Sequence, residues 1–140
     1  MSEKLIFKTE ISEIKKVREF FVKNASKELK ISEFFNFEIV IGEVITNIIK
    51  YGCNNEIRDV IFEIEVSKTD VFMSFEYEGD NITEEEVMKY KELKREYDVF
   101  NIKESGRGTF IINSIMDRVN YIQNGKMAKI KLYKKIENKL

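Results

Sequence analysis

The sequence predicts an α+β fold, a two-layer sandwich in which a mixed, mostly antiparallel sheet carries its helices on one face. Three observations predict it. In residues 37–52 the apolar positions Phe37, Ile41, Val44, Ile45 and Ile48 recur at three- and four-residue steps, the mark of a helix buried on one side. Residues 60–66 and 71–77 alternate apolar and polar with a period of two around Lys68-Thr69-Asp70, which reads as a long hairpin with one buried face. Taken along the chain, the elements follow the order β-α-α-β-β-α-β-β.

Residues 5–9 read as the first strand. Ser12 is placed as an N-cap for an amphipathic helix over 13–29, with Val17, Phe20, Phe21 and Ala25 inward. Ser32 is expected to cap the second helix, and Gly52 to end it as a C′ residue. Cys53-Asn54-Asn55-Glu56 is a turn before the hairpin, and Glu78-Gly79-Asp80-Asn81 breaks the hairpin's second strand. Residues 83–104 are polar and rich in Lys and Glu, helical over about 84–96, and are the expected mobile lid. Ser105-Gly106-Arg107-Gly108-Thr109 then leads into a buried helix over 110–116. A strand over 117–122, the turn signal Asn124-Gly125 and a final alternating strand over 128–133 complete the chain.

The 140 residues suit one domain, 1–140, with 43% apolar and 35% charged residues marking a folded core. With 24 basic against 25 acidic residues, the formal net charge of -1 gives no reason to expect nucleic acid or an anionic membrane. No apolar run is long enough to span a bilayer, and no signal-peptide core follows Met1. The single Cys53 excludes an internal disulfide and fits a reducing cytoplasm. With no histidine in the sequence, a Ser-His-Asp triad, a His-ligated zinc and phosphohistidine are excluded. Chemistry here must use carboxylates, amides, hydroxyls, Lys, Arg and backbone groups.

The second predicted helix carries such groups. Asn36, Glu43, Asn47 and Lys50 fall on one stripe at about 100° per residue, although a mostly apolar helix does not need them for solubility. Gly106-Arg107-Gly108 at a helix start would let the backbone approach a ligand, and free N–H groups there attract phosphate. Taken singly, each feature has a structural reading: a solvated helix edge, a tight turn and, for Gly79, a strand-ending turn. Their combination in this order is more informative.

Glu43-Val44-Ile45-Thr46-Asn47-Ile48-Ile49-Lys50-Tyr51-Gly52 resembles the N box of the GHKL (histidine-kinase-like) ATPase superfamily. Thr46-Asn47 followed by Lys50-Tyr51 is closest to its anti-sigma-factor serine-protein kinase branch. Ser105-Gly106-Arg107-Gly108-Thr109-Phe110-Ile111-Ile112, followed by Met116-Asp117-Arg118-Val119, resembles that branch's second glycine box and the strand after it, and the ending Gly125–Leu132 fits too. The resemblance implies the Bergerat form of the sandwich, with ATP and Mg²⁺ as ligands. It implies Asn47 as the Mg²⁺ ligand, Glu43 as general base, Lys50 reaching a phosphate, and Gly106 and Gly108 letting a lid loop close. Tyr77, Gly79, Arg107 and Thr109 fall within the matching nucleotide-binding segments.

The implied function is a cytoplasmic anti-sigma regulator. It would bind a sigma factor and phosphorylate a serine of a STAS-type anti-anti-sigma protein, working as a homodimer without touching nucleic acid or membrane. The first glycine box departs from the family pattern. Where the superfamily has Asp-x-Gly, its Asp accepting the adenine amino group, this chain reads Tyr77-Glu78-Gly79. A phenol can hydrogen-bond but supplies no carboxylate, and strand alternation puts Glu76 and Glu78 on the opposite face. The alternative reading is therefore a non-catalytic binding module of the same fold with weak or lost nucleotide binding. A detached ATP-binding half of a histidine kinase is a third reading, and it would need a separate substrate protein.

Overall fold

The computed structural model describes residues 2–81 and 104–137. The expected lid over 83–104, with its helix over 84–96, therefore lies almost wholly outside the described residues. Strands β1 (Ser2–Lys8), β2 (Asp59–Val66), β3 (Asp70–Glu78), β4 (Arg118–Asn124) and β5 (Met127–Lys135) form one sheet in the order β1-β2-β3-β5-β4. Every pairing is antiparallel, so the predicted architecture holds and its mixed element is absent among the described residues. Gly125, at φ 61°, turns the β4–β5 hairpin in the left-handed region that favours glycine.

Helices α1 (Ile14–Ala25), α2 (Ile31–Asn47) and α3 (Glu104–Ile115) cover one face of the sheet. The alternation read from the sequence places Val60, Phe62 and Ile64 of β2 and Val71, Met73, Phe75 and Tyr77 of β3 in the core. Phe62 stacks on Phe75 at 4.7 Å between ring centres, and across the layer Phe21 of α1 meets Phe37 of α2 at 5.4 Å. Full burial of such side chains contributes about 1.5–3 kcal/mol each.

Local signals were read less well. Ser12 lies in a 3₁₀ turn, Ile11–Glu13, and makes no cap; α1 begins at Ile14 and stops at Ala25, short of the predicted end. Helix α2 starts at Ile31, so Ser32 falls inside the first turn. Its N-cap is Lys30, with extended backbone, and the Glu33 carboxylate reaches back to accept the Lys30 backbone N–H at 3.2 Å. At its other end α2 passes into a π turn, Ile48–Gly52. The left-handed residues there are Asn54 and Asn55, not Gly52. Gly52 is needed for another reason: a Cβ on it would lie 2.8 Å from the Tyr77 ring. No helix of the described residues is long and apolar enough to cross a membrane.

Candidate functional site

Three elements converge at one end of the sandwich: the C-terminal end of α2 with its π turn, the end of β3, and the start of α3. Glu43 and Asn47 stand one helical turn apart on α2 and so point the same way. Opposite them is the backbone of α3 at Gly108. A Cβ there would lie 2.8 Å from Glu43 Oε2, 3.2 Å from Asn47 Oδ1 and 3.3 Å from Asn47 Nδ2. The missing side chain of Gly108 is what allows a carboxylate, an amide and a helix backbone to share this space. Gly108 and Thr109 are both buried.

The glycine segment does not form a loop. Ser105, Gly106, Arg107, Gly108 and Thr109 all lie within α3, which begins at Glu104. A glycine inside a helix costs only about 1 kcal/mol relative to alanine, so the helix can run through both. Gly106 and Gly108 thus sit in a helix rather than in a loop, and the backbone of Gly108 lies against Glu43 and Asn47, while the lid they were expected to close lies almost wholly outside the described residues. The side chain of Arg107 lies outside what the structure describes.

Beyond Asn47 a cavity of about 240 Å³ opens, walled by Val44, Ile48, Ile112 and Ile130 with Tyr51, Tyr77 and Tyr121. Lys50 sits in the π turn, but Tyr51, its neighbour, is the residue that lines the cavity. Tyr77 is only 2% exposed. Its ring lies against Gly52, and its hydroxyl donates to the Asp80 carbonyl at 2.8 Å, with Asn81 Oδ1 at 3.3 Å. Burial pushes the phenol's pKa well above its ordinary value, so it stays neutral. Glu76 and Glu78 point away from the site as alternation requires; Glu76 lies 4.0 Å from Lys129 across the sheet. Neither replaces a carboxylate at position 77.

Gly79 closes the junction. A Cβ on it would collide with the Gly52 carbonyl oxygen, which accepts the Asp80 N–H at 3.0 Å. The Gly79 N–H donates to the Lys126 carbonyl at 2.9 Å, and Gln123 Nε2 donates to the Gly79 carbonyl at 2.9 Å. Cys53, buried beside it, points its thiol at the Glu78 carbonyl, 3.8 Å away. Burial raises its pKa, which marks a structural rather than a reactive thiol. Sequence reasoning missed Asp80, Asn81, Tyr51 and Tyr121. Asp80-Asn81 directly after Gly79 was visible as a strand break, but not as a cavity wall.

Asn47 fits Mg²⁺. The amide oxygen of Asn47 is a hard ligand, and Mg²⁺ typically takes one or two protein oxygens and completes its shell with water and phosphate. No group of three or more acidic or Cys residues able to enclose a metal occurs among the described residues. The cavity beyond Asn47, at about 240 Å³, is smaller than the roughly 300–1,000 Å³ of typical small-molecule pockets.

An antiparallel sheet backed by helices, with a Glu/Asn pair on one helix facing the glycine-bearing start of another, is the arrangement that the resemblance to the histidine-kinase-like ATPases implies. The comparison with known families agrees: residues 7–134 match the histidine kinase-like ATPase domain, and the chain belongs to that family. A search among curated proteins finds no match.

Proposed function

We propose that this chain is an ATP-binding regulatory domain of the anti-sigma-factor kind, which transfers the γ-phosphoryl group of ATP to a serine of an antagonist protein. The observation that carries the reading is the juxtaposition of Glu43, Asn47 and the Gly108 backbone. Asn47 would hold Mg²⁺ through Oδ1, and bound there the ion would neutralise charge on the phosphates. Glu43 would accept the proton of the attacking serine hydroxyl, as a general base within reach of the same space. The α3 backbone would cover the phosphates. Phosphoryl transfer rests on positioning and charge stabilisation, which suits a chain without histidine. A sigma factor and a STAS-type anti-anti-sigma protein are the proposed partners, with a homodimer as the working form.

The test is incubation with Mg-ATP and STAS-type antagonists. Phosphoserine should form, and Glu43→Gln should reduce its rate by about 10²-fold or more. No phosphoserine, together with unchanged behaviour of the Glu43 variant, rules the kinase out.

One observation favours a second reading, a protein-binding module that has lost its nucleotide. Tyr77 is packed against Gly52 at the position where the family's adenine-binding carboxylate falls. Calorimetry separates the two readings: micromolar ATP affinity excludes the module reading, and absence of binding excludes the kinase.

A further inference from the structure

The helices pack on one face of the sheet, and strand alternation turns every second side chain to the other face. That open face keeps Ile6, Phe72 and Ile122 exposed, and a cavity of about 460 Å³ opens on it between Glu63, Phe72, Lys131 and Tyr133. Its charges are sorted by strand: β2 presents Asp59, Glu63 and Glu65, and β5 presents Lys129, Lys131 and Lys135. Two of these are matched within the chain, Asp59 by Lys8 at 3.3 Å and Lys129 by Glu76 at 4.0 Å. Glu63, Glu65 and Lys131 line the cavity and form no ion pair with any described residue. Beside them the Arg118 guanidinium lies over the Tyr133 ring, 4.4 Å from its centre.

Strand β3 is the middle one of the five, and opposite charges stand in register on its two sides. Ser74 has Glu63 on one side and Lys131 on the other; Phe72 has Glu65 and Tyr133. The next row runs Ile6, Ile61, Glu76, Lys129, Ile122 from one edge of the sheet to the other. A two-fold axis laid along β3 in front of this face exchanges β2 with β5 and β1 with β4, and every contact then occurs twice. It sets Glu63 of each copy against Lys131 of the other, Glu65 against the stacked Arg118 and Tyr133, Ile6 against Ile122, and Phe72 against its own copy. Like charges meet on the axis at Glu76, which Lys129 neutralises, and at the strand ends Asp70 and Glu78, which sheets crossing at about 30° carry apart.

We infer that this open face is the interface of a homodimer, a second copy of the chain packed on it about a two-fold axis along β3. The assignment rests on the homodimer reading above and names its face and contacts. By strand spacing and rise the face spans roughly 24 Å by 24 Å, and its side chains bring the accessible area toward the roughly 800 Å² per partner of a stable interface. Strand β3 runs the same way in both copies, so the two Glu43–Asn47 sites come to the same end of the dimer.

Sedimentation equilibrium on the full chain tests this with charge reversals. The wild type should be a dimer. Glu63→Lys and Lys131→Glu should each raise its dissociation constant at least about tenfold, because each brings like charges together at two symmetric contacts. The double variant restores opposite charges in exchanged positions and should return to within about threefold of wild type, a coupling that a double-mutant cycle isolates. Ile6→Glu, at an exposed position on an edge strand, should weaken the dimer independently of that pair. Circular dichroism verifies that each variant is folded. If the wild type dimerises but the single reversals leave it intact, or the double variant fails to recover, the face is wrong while the homodimer reading stands. If the wild type is a monomer, the homodimer reading and the assignment fall together, and the face belongs to a different partner.

Discussion

Gly108 shows how much one absent side chain controls. A methyl group there would lie 2.8 Å from Glu43 Oε2, the far end of a flexible side chain, which can swing aside cheaply. Alanine also favours a helix over glycine by about 1 kcal/mol. Gly108→Ala should therefore leave the urea midpoint unchanged or raised, while, on the proposed kinase function, phosphoryl transfer should fall at least tenfold because Glu43, the proposed general base, is displaced. A parallel loss of stability and activity would mean that Gly108 is structural only. That Glu43 and Asn47 are out of place on α2 was legible in the sequence, because a mostly apolar helix gives no reason for a polar stripe; that Gly108 lies against them was not, because it depends on how two helices pack. Asp80 and Asn81 were not legible: polar residues after a strand-breaking glycine look like any turn until the cavity beside them is seen.

The elements were legible where periodicity ran long and failed where the ends were decided by single contacts. Phe37, Ile41, Val44, Ile45 and Ile48 marked α2, yet the same spacing could not reveal that its last turn widens at Ile48–Gly52. A serine is a good cap in general, but at the start of α2 Glu33 does the capping from inside the helix. It accepts the Lys30 N–H at 3.2 Å and, with its other oxygen, the Glu137 N–H at 3.1 Å, while Lys30 and Glu137 form an ion pair. Glu33→Ala should cost about 1 kcal/mol, read as a lower urea midpoint; replacing Ser32 should change it little.

At the α3–β4 corner, the Asp117 carboxylate accepts the Lys135 N–H at 2.7 Å and lies 3.4 Å from the Lys134 ammonium. The hydrogen bond first, and the lysine second, hold its pKa below the ordinary 3.8. A depressed carboxylate stabilises the fold at pH above its unfolded value and loses that contribution as pH falls through the folded one. The stability advantage of wild type over Asp117→Asn should thus be present at pH 7 and shrink below pH 3.8, measured as the difference in urea midpoints.

Across the whole molecule, the antiparallel sheet supplies a stable platform and the site occupies one end of it, where β3 and α2 are joined by the Gly52–Asp80 backbone hydrogen bond. This division predicts that core damage and junction damage separate experimentally. Phe62 is fully buried between Phe20 and Phe75, at 5.9 and 4.7 Å between ring centres, and is absent from the cavity wall. Phe62→Ala should cost about 3–5 kcal/mol and lower the melting temperature, yet below that temperature ATP affinity should stay within about twofold of wild type, since distant sites act independently. Gly79→Ala differs in kind. Its methyl group meets the Gly52 carbonyl, a backbone atom that cannot rotate away, and also lies 3.0 Å from the Tyr77 ring. Forcing it in should cost about 1–3 kcal/mol, a smaller loss than in the core, but should part the Gly52–Asp80 junction beside the cavity and weaken ATP binding at least tenfold. Calorimetry on both variants at a temperature where each is folded decides it. If Phe62→Ala lost affinity as severely as Gly79→Ala, the sheet and the site would be one cooperative unit, and the junction would have no role of its own.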